Sequence, residues 1–290
     1  MSRIATDFLV TPNMNKPEAW TYPIDHDAIA VMAKRAGRES DEGTERLTDT
    51  IGGRTVALCL NGGSIKGLEE RIEDFAQFDL CWMGMNRFSQ IEKRILGKID
   101  NSFDIIFCMS EQDIPKRIPD LKEFVSRDAK HLLMTTLCAF TWLDAVDREW
   151  LIDFHGEQLY LMPRLLCRPA YPISLEVIVD ELIKAKVEKL ILFGADGYLH
   201  PAMEGKTEEE IIRWSQQEML ATYYDPEFFK NERRATGVGV GTVRFNKNFT
   251  YQPDKIEIVN CSPGSYYGHI PVTNYDGLWS ALAVGGLACT

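Results

Sequence analysis

Seven short, almost uninterrupted apolar runs punctuate this chain from residue 55 onwards, and they constrain its fold more than any other feature. They are TVALCL (55–60), DLCWMGM (79–85), FDIIFCM (103–109), HLLMTTL (131–137), LYLMPRL (159–165), KLILFG (189–194) and KIEIVN (255–260). A strand with one wet face alternates apolar and polar residues, whereas a run without alternation is buried on both faces. Helical spacing fills the intervals. Ile65, Leu68, Ile72 and Phe75 recur at three and four residues, as do Leu175, Ile178, Val179, Leu182 and Ile183, with Ser174 as the N-cap of the second set. Strand–helix–strand repetition predicts an α/β fold with a doubly wound, mainly parallel sheet. Ligands of such sheets bind beyond the carboxyl ends of the strands, near the point where the strand order reverses.

The rhythm is absent before the first run and is interrupted once within the pattern. Residues 1–53 read as a helical N-terminal extension and linker, with a helix at Asp27–Arg35 and an acidic linker, RESDEGTER. Residues 54–290 read as the main domain, interrupted at about 199–250 by a lid. That insertion carries a capping box (Thr207 with Glu210), an aromatic patch (Tyr223, Tyr224, Phe228, Phe229) and a glycine-alternating stretch, TGVGVGTVRF. The aromatic patch is open to acceptor binding, subunit contact or core packing, which leaves a homo-oligomer open. GVGVG lacks the strand–turn–helix setting of a nucleotide loop and reads as an arm or hairpin.

Charge and cysteine usage narrow the classes. A net charge of −11 argues against a broad basic face for nucleic acid. The N-terminus lacks the apolar core of a secretory signal, and no apolar run reaches the roughly 20 residues of a membrane span. The seven cysteines are scattered, without a CxxC pair, which predicts reduced buried thiols in a cytoplasmic protein rather than zinc or disulfides.

Chemistry is expected at the strand ends. After the first run come Asn61, Gly62, Gly63 and Ser64, which suit either a tight turn or a backbone that admits a phosphate before a helix N-terminus. The turn is neither GxGxxG nor a P-loop, which disfavours a nicotinamide dehydrogenase or a Walker-type kinase. Asn86 follows the second run, fitted to a ribose hydroxyl, a base edge or a helix cap. Ser110 and Glu111 follow the third with the same choices. GADGYLH after the sixth groups Gly194, Asp196, Tyr198 and His200, the densest polar cluster in the chain. His200 is the candidate general base, since an imidazole titrates near neutrality, with Asp196 orienting it or holding a sugar hydroxyl. His131 opens a strand and reads as structural. Asp25-His26-Asp27 has a metal-like spacing but reads better as a helix start.

Several of these stretches resemble the bacterial sialyltransferases that decorate lipooligosaccharide. LCLNGGSIKGL is similar to their Asn-Gly-Pro-Ser-Leu turn, MGMNRF to their second strand end, and ISLEVIVDELIKAKVEKLILFGADGY to their helix and Gly-Ile-Asp-Phe-Tyr strand end. VNCSPGS resembles a late Cys-Pro-Asn-Ser segment. Related domains occur in flagellin-modifying motility accessory factors and archaeal pterin diphosphokinases. The resemblance spans roughly residues 54–265 and implies a Rossmann-like fold. It also implies a metal-independent glycosyltransferase that uses a CMP-activated sugar, without a cofactor. Asn61, Gly62 and Ser64 would then meet phosphate and ribose, Asn86 would lie near the nucleotide or sugar, and Ser174, Gly194 and Tyr198 would complete the pocket. The diphosphokinase branch implies magnesium and ATP instead, and a catalytically inactive nucleotide-binding protein is the third reading. The acceptor could be glycan, protein, lipid or modified DNA.

Overall fold

The structure is a computed structural model of the chain. It describes residues 40–86, 88–108, 114–136, 143–153, 158–162, 174–195, 207, 210, 253–263, 265, 267 and 270–284. In chain order the described elements are α1 (Ser40–Ile51), β1 (Thr55–Cys59), α2 (Lys66–Phe75), β2 (Cys81–Met85), α3 (Phe88–Arg94), β3 (Ile105–Cys108) and α4 (Ile114–Arg127). They continue with β4 (Leu132–Thr136), α5 (Ala145–Asp153), β5 (Leu159–Met162), α6 (Ser174–Lys184), β6 (Lys189–Phe193), β7 (Glu257–Asn260) and α7 (Tyr275–Val284). This is an α/β fold in which each of seven strands pairs in parallel, as the continuous apolar runs predict. Among the described residues no helix is long and apolar enough to cross a membrane.

The described residues fall into two compact units, one drawn from Met1–Thr50 and Asp104–Ala185, the other from Ile51–Phe103 and Lys186–Thr290. The first unit orders its strands β5-β4-β3. Several of its buried polar side chains are closely paired. His131, buried just before β4, stacks on Phe124 at 4.4 Å, and its Nδ1 lies 2.7 Å from the Phe124 carbonyl, the structural role read for it. Gln158 Nε2 donates to the Val125, Asp128 and His131 carbonyls. Glu181 is fully buried on α6, where it accepts from the Tyr160 hydroxyl at 2.6 Å and from Lys184 at 2.8 Å. A buried carboxylate persists only with such partners.

The second unit orders its strands β2-β1-β6-β7. Every residue of β1 and β2 is buried. Val56 pairs with Cys81 on one side and Leu190 on the other. An aromatic layer packs beside β6: Phe193 stacks between Trp82 and Tyr275, with Phe75 edge-on. Burying a side chain such as Phe193 stabilises by about 1.5–3 kcal/mol. Leu68, Ile72 and Phe75 supply the inward face of α2 at the spacing read from sequence.

One expectation changes. The acidic stretch read as a linker is the body of α1. Leu47 and Ile51, four residues apart, are both fully buried, and acidic residues early in a helix complement its dipole. The predicted helix at Asp27–Arg35 and the lid at 199–250, apart from Thr207 and Glu210, lie outside the described residues. Those two residues do form the capping box: Thr207 N–H donates to Glu210 Oε2 at 2.8 Å, and Glu210 N–H donates to Thr207 Oγ1 at 3.3 Å.

Candidate functional site

Parallel pairing puts the carboxyl ends of β2, β1, β6 and β7 on one edge of the second unit. From β1 the chain proceeds to β2 on one side, and later fills the other side with β6 and then β7. The order therefore reverses between β1 and β6, the kind of place where open α/β sheets take their ligands. Asn61 to Ser64 and Gly194 meet there.

Backbone bonds close this junction. Leu60 N–H donates to Phe193 O at 2.8 Å, and Gly62 N–H donates to Gly194 O at 2.9 Å. The turn then folds over itself, with Ile65 N–H donating to the Gly62 carbonyl at 3.2 Å, and runs through a 3-10 turn (Gly63–Ile65) into α2. Gly194 has φ +70°, and a Cβ there would stand 2.5 Å from the Leu60 carbonyl oxygen. Only glycine allows both that conformation and that approach. The Gly62 amide is thus committed to protein. The N-cap of α2, Ile65, offers no side-chain cap to the helix. Unmet N–H groups at a helix start favour an anion.

Asn61 reaches sideways: its Nδ2 donates to the Met85 carbonyl at 3.1 Å, tying the ends of β1 and β2 together. One N–H and the Oδ1 acceptor of this amide remain for other use. Next along is Asn86, half-buried at φ +51°, a left-handed conformation that asparagine tolerates better than most residues. Ser64 is half-buried within the 3-10 turn.

On the far side of β6, side chains at and just after the end of β7 seize the backbone of Ala195. Ser262 Oγ accepts from Ala195 N–H at 2.8 Å. Ala195 O accepts from Ser265 Oγ at 2.5 Å and from Asn260 Nδ2 at 3.2 Å. Asn260 also donates to Ser265 Oγ and takes the Ser262 N–H on its Oδ1. Asn260 and Ser262 are wholly inaccessible to solvent. The sequence marked their segment, VNCSPGS, only by resemblance and gave none of the three a role. NCSPGS has the composition of an ordinary turn, and the local signal beside that resemblance was so many hydrogen-bonding side chains at the end of a buried strand.

The remaining predicted residues divide cleanly. Asn61, Gly62, Gly63, Ser64, Asn86 and Gly194 share this edge. Ser174 is the first residue of α6, in the other unit. Ser110, Asp196, Tyr198 and His200 lie outside the described residues, as do Glu111 and the Asp25-His26-Asp27 triplet. Cys59 and Cys261, which end β1 and follow β7, are buried, and burial raises both thiols. Cys261 is pushed up to about 12, although the Arg71 guanidinium pulls it partly back. Neutral thiols of this kind are not nucleophiles. Among the described residues no group of three His, Cys, Asp or Glu side chains forms a metal cluster.

A groove of about 430 Å³ lies elsewhere in this unit, lined by α2 and α7 residues including Arg71, Asp74, Asp276 and Trp279. Ion pairs to Asp74 and Asp276 already engage Arg71, the cation lining it. The strand edge is the better candidate, because its polar groups converge at the reversal of strand order. No family model, curated protein or solved structure matches the chain.

Proposed function

We propose that this protein is a glycosyltransferase that takes a nucleotide-activated sugar, with CMP as the leaving group. The observation that carries the reading is the Gly62–Gly194 junction: a glycine turn at the reversal of strand order, opening into a helix without a side-chain cap. Such a junction suits a phosphate, and amides and a hydroxyl lie beside it. The Gly63 amide and the Ser64 hydroxyl take the donor phosphate, and the free half of the Asn61 amide and Asn86 take ribose or sugar hydroxyls. Preorganised N–H and O–H donors stabilise the negative charge that grows on a phosphate as it departs. An acceptor hydroxyl attacks the anomeric carbon, the bond from that carbon to the phosphate oxygen breaks, and CMP leaves. His200, oriented by Asp196, takes the hydroxyl proton. The lid over residues 199–250 excludes water from the donor.

Thermal shift tests this reading. The protein is melted with CMP, CDP, UDP, GDP or ATP, each with magnesium and with EDTA. A ligand that binds only the native state at a hundred times its Kd stabilises by about 2.7 kcal/mol. A rise with CMP that survives EDTA is the expected result. A rise only with ATP and magnesium overturns sugar transfer in favour of diphosphoryl transfer.

A further inference from the structure

We propose that Asn260, Ser262 and Ser265 are positioning residues for the phosphate turn, acting through Ala195 and Gly194 on Gly62. The inference rests on the nucleotide reading for what the turn binds, but the mechanical connection is independent of it. Both backbone groups of Ala195 are held by side chains rather than by a neighbouring strand: its N–H by Ser262, its carbonyl by Ser265 and Asn260. The preceding residue, Gly194, offers the carbonyl that holds Gly62 N–H. Asn260 is itself anchored from behind, since its N–H donates to the Pro271 carbonyl and its carbonyl accepts from Thr273 N–H.

This arrangement compensates for a weakness in the fold. Glycines at 62, 63 and 194 leave the junction with conformational freedom that packing cannot remove, because these residues have no side chains to pack. A binding turn has to be held close to its working geometry, and supporting hydrogen bonds from rigid neighbours are the usual means. Asn260 suits the task chemically. Its amide donates twice and accepts once here, which neither a carboxylate nor a hydroxyl could reproduce. Burial then makes each bond expensive to lose, so the frame is either made or broken.

The test compares Ser262→Ala, Ser265→Ala and Ser265→Thr with the parent. Ser265 is only half-buried, so its variants guard against a Ser262→Ala protein that fails to fold. Two readouts are taken well below the melting temperature: amide hydrogen exchange at Gly62, and the Kd for CMP. In both alanine variants exchange at Gly62 should quicken by about tenfold while the β1 and β2 amides stay protected. CMP should bind about tenfold more weakly. Ser265→Thr, which keeps the hydroxyl, should stay within about twofold of the parent on both measures. Unchanged exchange at Gly62 overturns the proposal, as does faster exchange with unaltered CMP affinity. Faster exchange in variants of a parent that binds none of the five nucleotides keeps the positioning frame and discards the nucleotide reading.

Discussion

Replacing Gly194 with alanine probes the junction more directly than any other change. Its backbone sits at φ +70°, where an L-residue costs about 1–2 kcal/mol. The added Cβ would also stand 2.5 Å from the Leu60 carbonyl oxygen and 3.1 Å from Ile65 Cβ. Relieving such contacts shifts backbone rather than a flexible side chain, at about 1–3 kcal/mol more. The sum, about 2–5 kcal/mol, corresponds to a fall in Tm of roughly 6–15 °C at about 3 °C per kcal/mol. Gly53 supplies the control. It has φ +72° but nothing within 4 Å of an added Cβ, so Gly53→Ala carries the backbone cost alone, about 1–2 kcal/mol. Melting followed by circular dichroism compares the two variants with the parent. Equal losses in both would refute the close approach of Gly194 to Leu60, and with it the geometry on which the proposed phosphate turn depends.

Two further outcomes follow from buried polar groups. Tyr160→Phe removes one donor from the fully buried Glu181 without opening a cavity, and should cost about 1.5–3 kcal/mol. A urea midpoint that falls with an unchanged slope would show it, and a loss under about 0.5 kcal/mol would contradict it. For Cys261 the native thiol is raised from an ordinary 9.0 to about 12, chiefly by burial. Below pH 9 the thiol is neutral in both states, so its contribution is intact; above it only the unfolded thiol ionises, and stability is lost as pH climbs towards 12. The slope is about 1.4 kcal/mol per pH unit. Cys261→Ala should therefore lose Tm less steeply than the parent between pH 9 and about 10.5, and parallel curves would refute the assignment.

The strands were legible because burial on both faces leaves a mark in consecutive residues. TVALC and CWMGM carry no alternation, and all ten of their residues are buried. α2 and α6 were legible for the complementary reason: an apolar stripe repeats at the helical period against polar neighbours. α1 was not. Its apolar anchors reduce to Leu47 and Ile51 within a charged sequence, too few to register a period, and tertiary burial rather than propensity makes that stretch helical. Strand order was equally hidden, since an apolar run says nothing of its neighbours. That β6 lies against β1 depends on contacts between residues such as Val56 and Leu190, remote in sequence.

The same distinction governs the site. Asn61, Gly62 and Gly63 announced themselves because paired glycines beside small polar residues directly after a buried strand stand out in the local sequence. Gly194 was equally visible at a strand end, but its reason was not: the atom that excludes a side chain there belongs to Leu60. Asn260, Ser262 and Ser265 stand further still from local logic, for their partner is a backbone unit 65 to 70 residues earlier in the chain. Their amino-acid types suit any loop, and only the parallel placement of β7 beside β6 turns them into a frame. Residues that touch a ligand tend to be unusual in their own segment. Residues that hold such a segment in place need only be polar, buried and opposite the right atom. A turn made of glycines depends on that second kind more than most, because nothing in the turn itself can hold its shape.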